Sequence, residues 1–415
     1  MTPFLELMLV LAIVVAGAKL AGWALGLLGQ PTVVGEIAFG LLLGPTALDL
    51  LGMPLLTHAA ETGETIKLLG ELGVVLLMFV AGLETDMPAM RKVGMPALVS
   101  AAGGVVLPLA AGTGFGLLVG MPMAEAVFVG TILTATSVSI SAQTLLELKK
   151  LRTKEGMTIL GAAVIDDVLG ILILSVVVAL FASGGSAVPI WLVALKMVAY
   201  FAVGIALAPV VKALLRWFDR LPIAQPLVAL ALVLVLFYSW AAEYWGGVAA
   251  ITGAYLVGIL IGQTEFKHRL EKATQVFAYG FFVSIFFVDI GLRANLREAL
   301  GGPLVWVALA IIVIAVLTKV LGSGFGARVM GFSNFEALRV GAGMVSRGEV
   351  GLIVAAIGVE RGVIPQDLFA IMVLMVVVTT LVTPLFLRAT FKFGPPSEEP
   401  RDEAREVSAQ AAGGS

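Results

Sequence analysis

Long apolar runs, each about as long as a hydrocarbon layer is thick, follow one another along almost the whole chain. A helical span needs roughly 20 predominantly apolar residues. Cutting at charged or Pro/Gly-rich breaks gives segments near 4–28, 32–50, 66–83, 94–119, 125–147, 156–182, 189–215, 223–242, 246–263, 276–291, 303–330, 336–358 and 367–391, about thirteen in all. No water-facing surface can be built around them. Of 415 residues, 60% are hydrophobic and 13% charged, where soluble domains average about 45–50% and about 25%. In lipid every backbone group must be satisfied within the protein, and runs of this length select helices. The expected fold class is therefore an all-α polytopic membrane protein. The first run has no basic region before it and no small-residue cleavage site, so it reads as a retained helix and not a signal peptide. The stretch from Gly394 is polar, Pro-rich and acidic, which is the composition of a disordered tail. Residues 1–393 are expected to form the membrane domain and 394–415 the tail.

Loop charge sets the orientation. With the N-terminus outside, alternate loops carry Arg91 and Lys92; Lys149, Lys150, Arg152 and Lys154; Arg216 and Arg220; and Lys267, Arg269 and Lys272. The opposite loops carry only Arg293, Arg297 and Arg361, with Glu61, Glu64 and Glu243. Positive charge gathers on the cytoplasmic side, so the N-terminus is expected outside and the C-terminal tail in the cytoplasm. Trp23, Trp191, Trp217, Trp240, Trp245 and Trp306 all fall near proposed helix ends, where an amphipathic ring is favoured. The formal net charge of −2 gives no reason to expect a nucleic-acid partner.

Two segments look interrupted in mid-membrane. The fifth contains the polar run Thr134-Ala135-Thr136-Ser137-Val138-Ser139-Ile140-Ser141. The twelfth contains Gly341-Ala342-Gly343-Met344-Val345-Ser346-Arg347-Gly348-Glu349. Pairing helices 1–6 with 8–13 around a linker helix matches the fifth to the twelfth. An offset of seven also makes the two halves opposite in orientation, as an inverted repeat requires. Discontinuous helices at matching places in two halves mark a transporter's binding site. A small-residue packing seam is the plainer reading of either run alone; the symmetry of the pair favours broken helices.

Charge inside the membrane is expensive, at least about 2.5–3.5 kcal/mol per group on insertion scales. This chain places Asp166 and Asp167 within GAAVIDDVLGILILSV, Lys319 within AIIVIAVLTKVLGSGFGA, and Arg347 and Glu349 within the interrupted twelfth segment. Successive helical residues project about 100° apart, so both aspartates cannot face one partner. One is expected to pair with a base and the other to face a water-filled cavity. Lys319 is the natural base, since a buried ammonium needs a carboxylate. A purely structural pair would leave the adjacent aspartate without purpose, and intramembrane acids are functional by default. Arg347 and Glu349 are better read as structural charges that balance half-helix ends where the broken helices cross. Asp289 lies nearer a helix end, beside Arg293, and Glu71 is embedded in LGELGVVLLMFVAGLET and could line a path. Lys19 and Lys196 are placed to snorkel.

At these residues the chain resembles the monovalent cation:proton antiporter superfamily. In particular it is similar to bacterial Na+/H+ antiporters with a double aspartate, relatives of the glutathione-gated K+ efflux systems. The motifs are QPTVVGEIAFGLLLGP (30–45), ELGVVLLMFVAGLET (71–85), TATSVSISA (134–142), LGAAVIDDVLG (160–170), TKVLGSG (318–324) and SRGEVGLIVAA (346–356), in the family's order and across nearly the whole membrane domain. The resemblance implies two inverted six-helix repeats with crossed broken helices. These form a dimerisation panel and a mobile core, the core including about 94–182 and 303–391. It implies a homodimer in the bacterial inner membrane. Asp167 would be the main carrier of cation or proton, with Asp166 as a second Na+ ligand paired to Lys319, and Thr136 and Ser137 as nearby oxygen donors. A base at Lys319 resembles the electrogenic exchangers, which move more than one proton per cation. Asp289 stands where the family usually has a small or neutral residue in its FF-x-x-x-G stretch, and would add a charge near the path. The tail is too short for the nucleotide-binding domain of the gated K+ systems, so that regulation is expected to be absent.

The expected activity is exchange of Na+ or Li+ for H+ by alternating access, with no cofactor; K+/H+ exchange without the nucleotide domain is the alternative. Na+ and H+ would compete for the same carboxylate oxygens, and exchange follows if the core moves only when the site is occupied. An intramembrane aspartyl protease would need its two aspartates on separate helices. HExxH zinc chemistry is ruled out because His58 and His268 are the only histidines. A passive channel would need no paired broken repeats, and an organic-anion carrier no lysine against a double aspartate.

Overall fold

The computed structural model describes residues 2–53, 56–85, 87–151, 153–181, 190–299, 301–302 and 304–393. The tail 394–415 and Arg152 lie outside them, as do the side chains of Arg91, Lys92, Ser139 and Glu349. The helices are α1 (Pro3–Leu27), α2 (Thr32–Leu43), α3 (Ala59–Glu84), α4 (Met87–Leu118), α5 (Met123–Thr134), α6 (Val138–Glu147), α7 (Lys154–Phe181), α8 (Ile190–Ala206), α9 (Ala208–Phe218), α10 (Pro226–Ala241), α11 (Ala250–Gly262), α12 (Lys267–Phe277), α13 (Val283–Arg293), a short α14 (Leu296–Ala299), α15 (Leu304–Val329), α16 (Asn334–Gly343), α17 (Glu349–Glu360) and α18 (Gln366–Phe393).

Each of the thirteen apolar segments falls on one helix or one interrupted pair. Among the described residues, eight helices are long and apolar enough to cross a membrane, or nine if the bent pair α8 and α9 is one span. The others are short. α2 stops where Gly44 turns into extended backbone before Pro45, and its 12 residues reach only about 18 Å. The tenth segment starts earlier than its apolar run suggests. α12, a π-helical turn at Ala278–Phe282 and α13 form one helix from Lys267 to Arg293. Lys267, Arg269 and Lys272, read as loop, are helical because Leu270 and Thr274 bury an inward stripe beneath them. All six tryptophans are between 47% and 72% exposed, as rings at a lipid interface should be.

Local chemistry explains several ends. Thr2 caps α1 by accepting from Leu5 N, with Pro3 in the first turn. Ser333 and Glu336 form a reciprocal capping box on α16. Gly94, with φ +77°, kinks α4, so its apolar span begins there.

The helices pack as two groups. α4–α7 contact α15–α18, while α1–α3 contact α10–α13. An extensive apolar cluster, including Phe79, Phe128, Ile171, Tyr255, Phe287 and Ile353, runs through both. α4 and α15 come closest at reciprocal glycines: a Cβ on Gly103 would lie 2.2 Å from the Gly322 carbonyl oxygen, and one on Gly322 would lie 2.2 Å from that of Gly103. Close backbone approach through small residues is how helices associate in lipid.

Candidate functional site

α5 ends at Thr134 because Ala135 turns into extended backbone (φ −57°, ψ 145°), and α6 starts at Val138. α16 ends at Gly343, and α17 starts at Glu349 after an extended Gly348. Breaking two helices frees peptide groups that need partners inside the protein. The two breaks supply one another. Ser137 N donates to Ser346 O at 2.9 Å. Ser346 Oγ donates to Ser137 O at 2.8 Å. Ser141 Oγ donates to Gly343 O at 2.5 Å. Thr380 Oγ1 of α18 donates to Arg347 O at 2.6 Å.

Arg347 is fully buried at this crossing. Its guanidinium donates to Val345 O at 2.7 Å and Leu133 O at 2.8 Å. It also reaches Ala315 O of α15 at 2.9 Å. These carbonyls lie at the C-terminal ends of α5 and α16, where the helix dipole is negative. The cation thus caps both half-helices, and among the described residues no carboxylate lies within 4.0 Å of it. The expectation for Glu349 falls on a side chain outside the described residues.

Beside the crossing, α7 presents the two aspartates. Asp166 is buried and Asp167 half-buried. Lys319 Nζ of α15, itself buried, lies 3.0 Å from both carboxylate oxygens of Asp166. Room for the ammonium comes from Gly104 of α4, where a Cβ would lie 2.2 Å from Ser323 Oγ and 3.4 Å from Lys319 Nζ. The Thr136 hydroxyl is buried close to the Asp166 carboxylate, yet it forms no hydrogen bond of normal geometry. Asp167, the next residue along α7, lies within electrostatic reach of Lys319 and of Tyr255 on α11. Ser137 packs on Gly348, whose Cβ would lie 2.8 Å from the Ser137 hydroxyl. So Asp166, Lys319, Thr136, Ser137 and Arg347 are brought together at the crossing, with Asp167 on the adjoining face.

Two cavities separate the helix groups. One of about 630 Å3 is bordered by Lys67, Glu71, Asp289, Arg293 and Glu360, with Val74, Ile251 and Ile353 also lining it; neither Asp166 nor Asp167 borders it. Asp289 accepts from Arg293 Nε at 2.8 Å, one turn along α13. Glu71 borders this vestibule, its side chain 41% exposed and 3.7 Å from Lys67. The other cavity, about 100 Å3, lies against Ser137, Gly348 and Thr380 at the crossing itself.

Residues 10–393 match the family described as sodium/hydrogen exchanger, transmembrane. The chain belongs to this family. It is 41% identical over 382 residues to the Na+/H+-K+ antiporter GerN of Bacillus cereus, covering 92% of this chain and 95% of that one. A Na+/H+ antiporter of Enterococcus hirae is 35% identical, over 87% of this chain and 91% of its own. The solved structure of the sodium proton antiporter MjNhaP1 from Methanocaldococcus jannaschii shares the fold, with a TM-score of 0.68, 17% identity, and coverage of 94% and 97%.

This family member also holds buried charges that the sequence reading missed. Glu155, in the first turn of α7, accepts from Arg339 Nη1 of α16 at 2.8 Å, with both side chains at most 1% exposed. Arg339 also lies over the Phe391 ring at 4.7 Å. Glu155 follows a run of bases, Lys149 to Lys154, and so reads as a loop residue. Glu36, within the quoted QPTVVGE motif, is buried and accepts from Lys19 Nζ at 2.9 Å and Ser284 Oγ at 3.2 Å. Lys19 therefore pairs across helices instead of snorkelling alone. The signal lay in the one acid of an otherwise apolar α2.

Proposed function

We propose that this chain exchanges Na+ for H+ across a bacterial inner membrane by alternating access, with Asp167 as the carrier carboxylate. The observation that carries this reading is the division of labour between neighbours. Lys319 holds both oxygens of Asp166, while Asp167 lies half-buried on the adjoining face. A hard cation entering there finds carboxylate oxygens, and the Thr136 hydroxyl, which is not committed to another bond of normal geometry. Binding of the cation draws Asp166 away from Lys319. Reprotonation of Asp167 and of Lys319, which then recovers Asp166, expels the cation. Arg347 keeps the half-helix ends neutral in either state, so the net charge of the site depends on cation and proton alone. The group α4–α7 with α15–α18 is the moving body, carrying the site past the fixed α1–α3 and α10–α13. A proton leaving Asp167 and another leaving Lys319 for each cation bound makes the cycle electrogenic, driven by the proton gradient and about 2.3 kcal/mol per charge per 100 mV. The N-terminus lies outside, the tail in the cytoplasm, and two copies associate. Potassium is the second reading, because the relative at 41% identity is named for Na+/H+-K+ antiport.

The test is dissipation of an imposed pH gradient in proteoliposomes on adding Na+, Li+ or K+ in turn. Release of protons by Na+ or Li+, absent without protein, is the expected result. A gradient indifferent to all three cations refutes exchange, and one collapsed only by K+ selects the second reading.

A further inference from the structure

α9 differs in kind from the helices around it. It leaves α8 at a bend of 42° and buries only Val211 and Leu215. Its opposite stripe runs Pro209, Lys212, Ala213, Arg216, Trp217, Arg220, spaced at three and four residues, and borders an open cleft of about 480 Å3. Pro209 and Ala213 are small, which leaves space between the bases and the indole.

Exposed apolar and basic groups alternate here. Val210 is 49% and Trp217 58% exposed, beside Arg216 at 56%. A helix surrounded by water gains nothing from that mixture. A helix lying in a bilayer interface does, with its bases at headgroup level and its ring among the glycerols.

The surface around the cleft also carries excess positive charge. Arg216 Nε donates to Glu265 Oε1 at 2.8 Å, and Lys212 Nζ lies 3.7 Å from the other oxygen. Arg269 Nη1 of α12 bonds Asp219 at 2.9 Å. Across 209–220 and 263–272 the bases Lys212, Arg216, Arg220, Lys267, Arg269 and Lys272 number six, and the acids Asp219, Glu265 and Glu271 three, a formal excess of three. Among the described residues, Arg220 has no carboxylate within 4.0 Å. Arg216 uses Nε for Glu265, which leaves the ends of its guanidinium open. A second copy of this face would set bases against bases, so self-association does not fit it.

We propose that the α9 cleft binds the phosphate of an anionic phospholipid. Arg216 and Arg220 donate to the phosphate oxygens, Lys212 adds charge, and Trp217 packs against the glycerol region. This assignment is independent of which ion the chain carries.

The full chain, purified in detergent, is titrated with phosphatidylglycerol or phosphatidylcholine. Retained lipid is read by native mass spectrometry and stability by thermal unfolding. Phosphatidylglycerol should be retained selectively and raise the unfolding temperature, and the effect should shrink with added salt. Arg220→Gln, exposed and outside every ion pair described here, should fold normally and bind about fivefold more weakly, the effect of one juxtamembrane base. Lys212→Gln combined with Arg216→Gln and Arg220→Gln should remove the selectivity. Equal retention of both lipids, or unchanged affinity in Arg220→Gln, would overturn the proposal. Protection by inorganic phosphate at the concentration that phosphatidylglycerol requires would also overturn it, showing a free-anion site and not a lipid site.

Discussion

Two buried ion pairs sit on the same helix, and they are built differently. Asp166–Lys319 and Glu155–Arg339 both join α7 to a second helix, both are closed to solvent, and both measure about 3 Å. Eleven residues, about 16 Å, separate them along α7. The base in one is a lysine, a point charge on a flexible stem whose ammonium can give up its proton. The base in the other is an arginine, which stays charged and whose planar head stacks on an aromatic ring. Arg339 has such a ring in Phe391. Lys319 has instead a second carboxylate within electrostatic reach and a threonine hydroxyl nearby that makes no good hydrogen bond. Under the proposed mechanism the first pair is opened and remade during exchange, while the second holds α7 to α16 whatever the site contains. On that proposal the choice of base, more than burial, separates a working pair from a fastening.

Five substitutions can break or sharpen that contrast. The largest effect is expected from Asp167→Asn, which should reduce cation-dependent proton release to the level of protein-free vesicles while the purified protein unfolds at its normal temperature. Wild-type-like exchange would remove Asp167 from the mechanism. Next comes the fastening. Glu155→Gln strands a buried arginine and should cost about 3–5 kcal/mol of stability, seen as earlier thermal unfolding. In whatever folded protein remains, the voltage dependence of transport should be that of wild type. At the working pair, Asp166→Asn should destabilise on the same scale of about 3–5 kcal/mol, and Asp166→Asn with Lys319→Gln should recover much of it. Losses that simply add would mean that the two residues are uncoupled. Lys319→Gln alone should also leave residual transport nearly indifferent to an imposed membrane potential, because one proton has gone from the cycle. A voltage response equal to that of wild type would make the lysine structural. The smallest effect belongs to Asp289→Asn. Asp289 is held by Arg293 away from the aspartates, so the apparent cation affinity should change less than about twofold, read from proton release against Na+ concentration.

The contrast was only half legible in the sequence. Asp166, Asp167 and Lys319 stand alone in apolar runs, and an isolated charge in lipid announces itself by its cost. Glu155 and Arg339 lie within a turn or two of helix ends beside other charges, so burial there depends on tertiary packing that no periodicity reports. The broken helices were readable because polar and glycine residues interrupt apolar runs at matching places in both halves. What joins them was not, since the bonds from Ser137 to Ser346 and from Arg347 to Leu133 cross more than two hundred residues of chain. Glu71 was legible only as an acid that could line a path: its flanks are apolar, and the vestibule it borders is formed by helices far along the chain.

The reciprocal contact of Gly103 with Gly322 sets a mechanical limit on the molecule. Each carbonyl occupies the place where the opposite residue would carry a side chain. Sliding α4 along α15 would carry Ser100 or Leu107, the next residues along the same face, toward a gap that admits no methyl group. The two helices therefore share one register, like teeth cut for a single mesh. Since α4 touches α5 and α7 while α15 touches α16 and α18, that register couples both broken helices. A displacement of α4 along this contact therefore has to carry α15 with it.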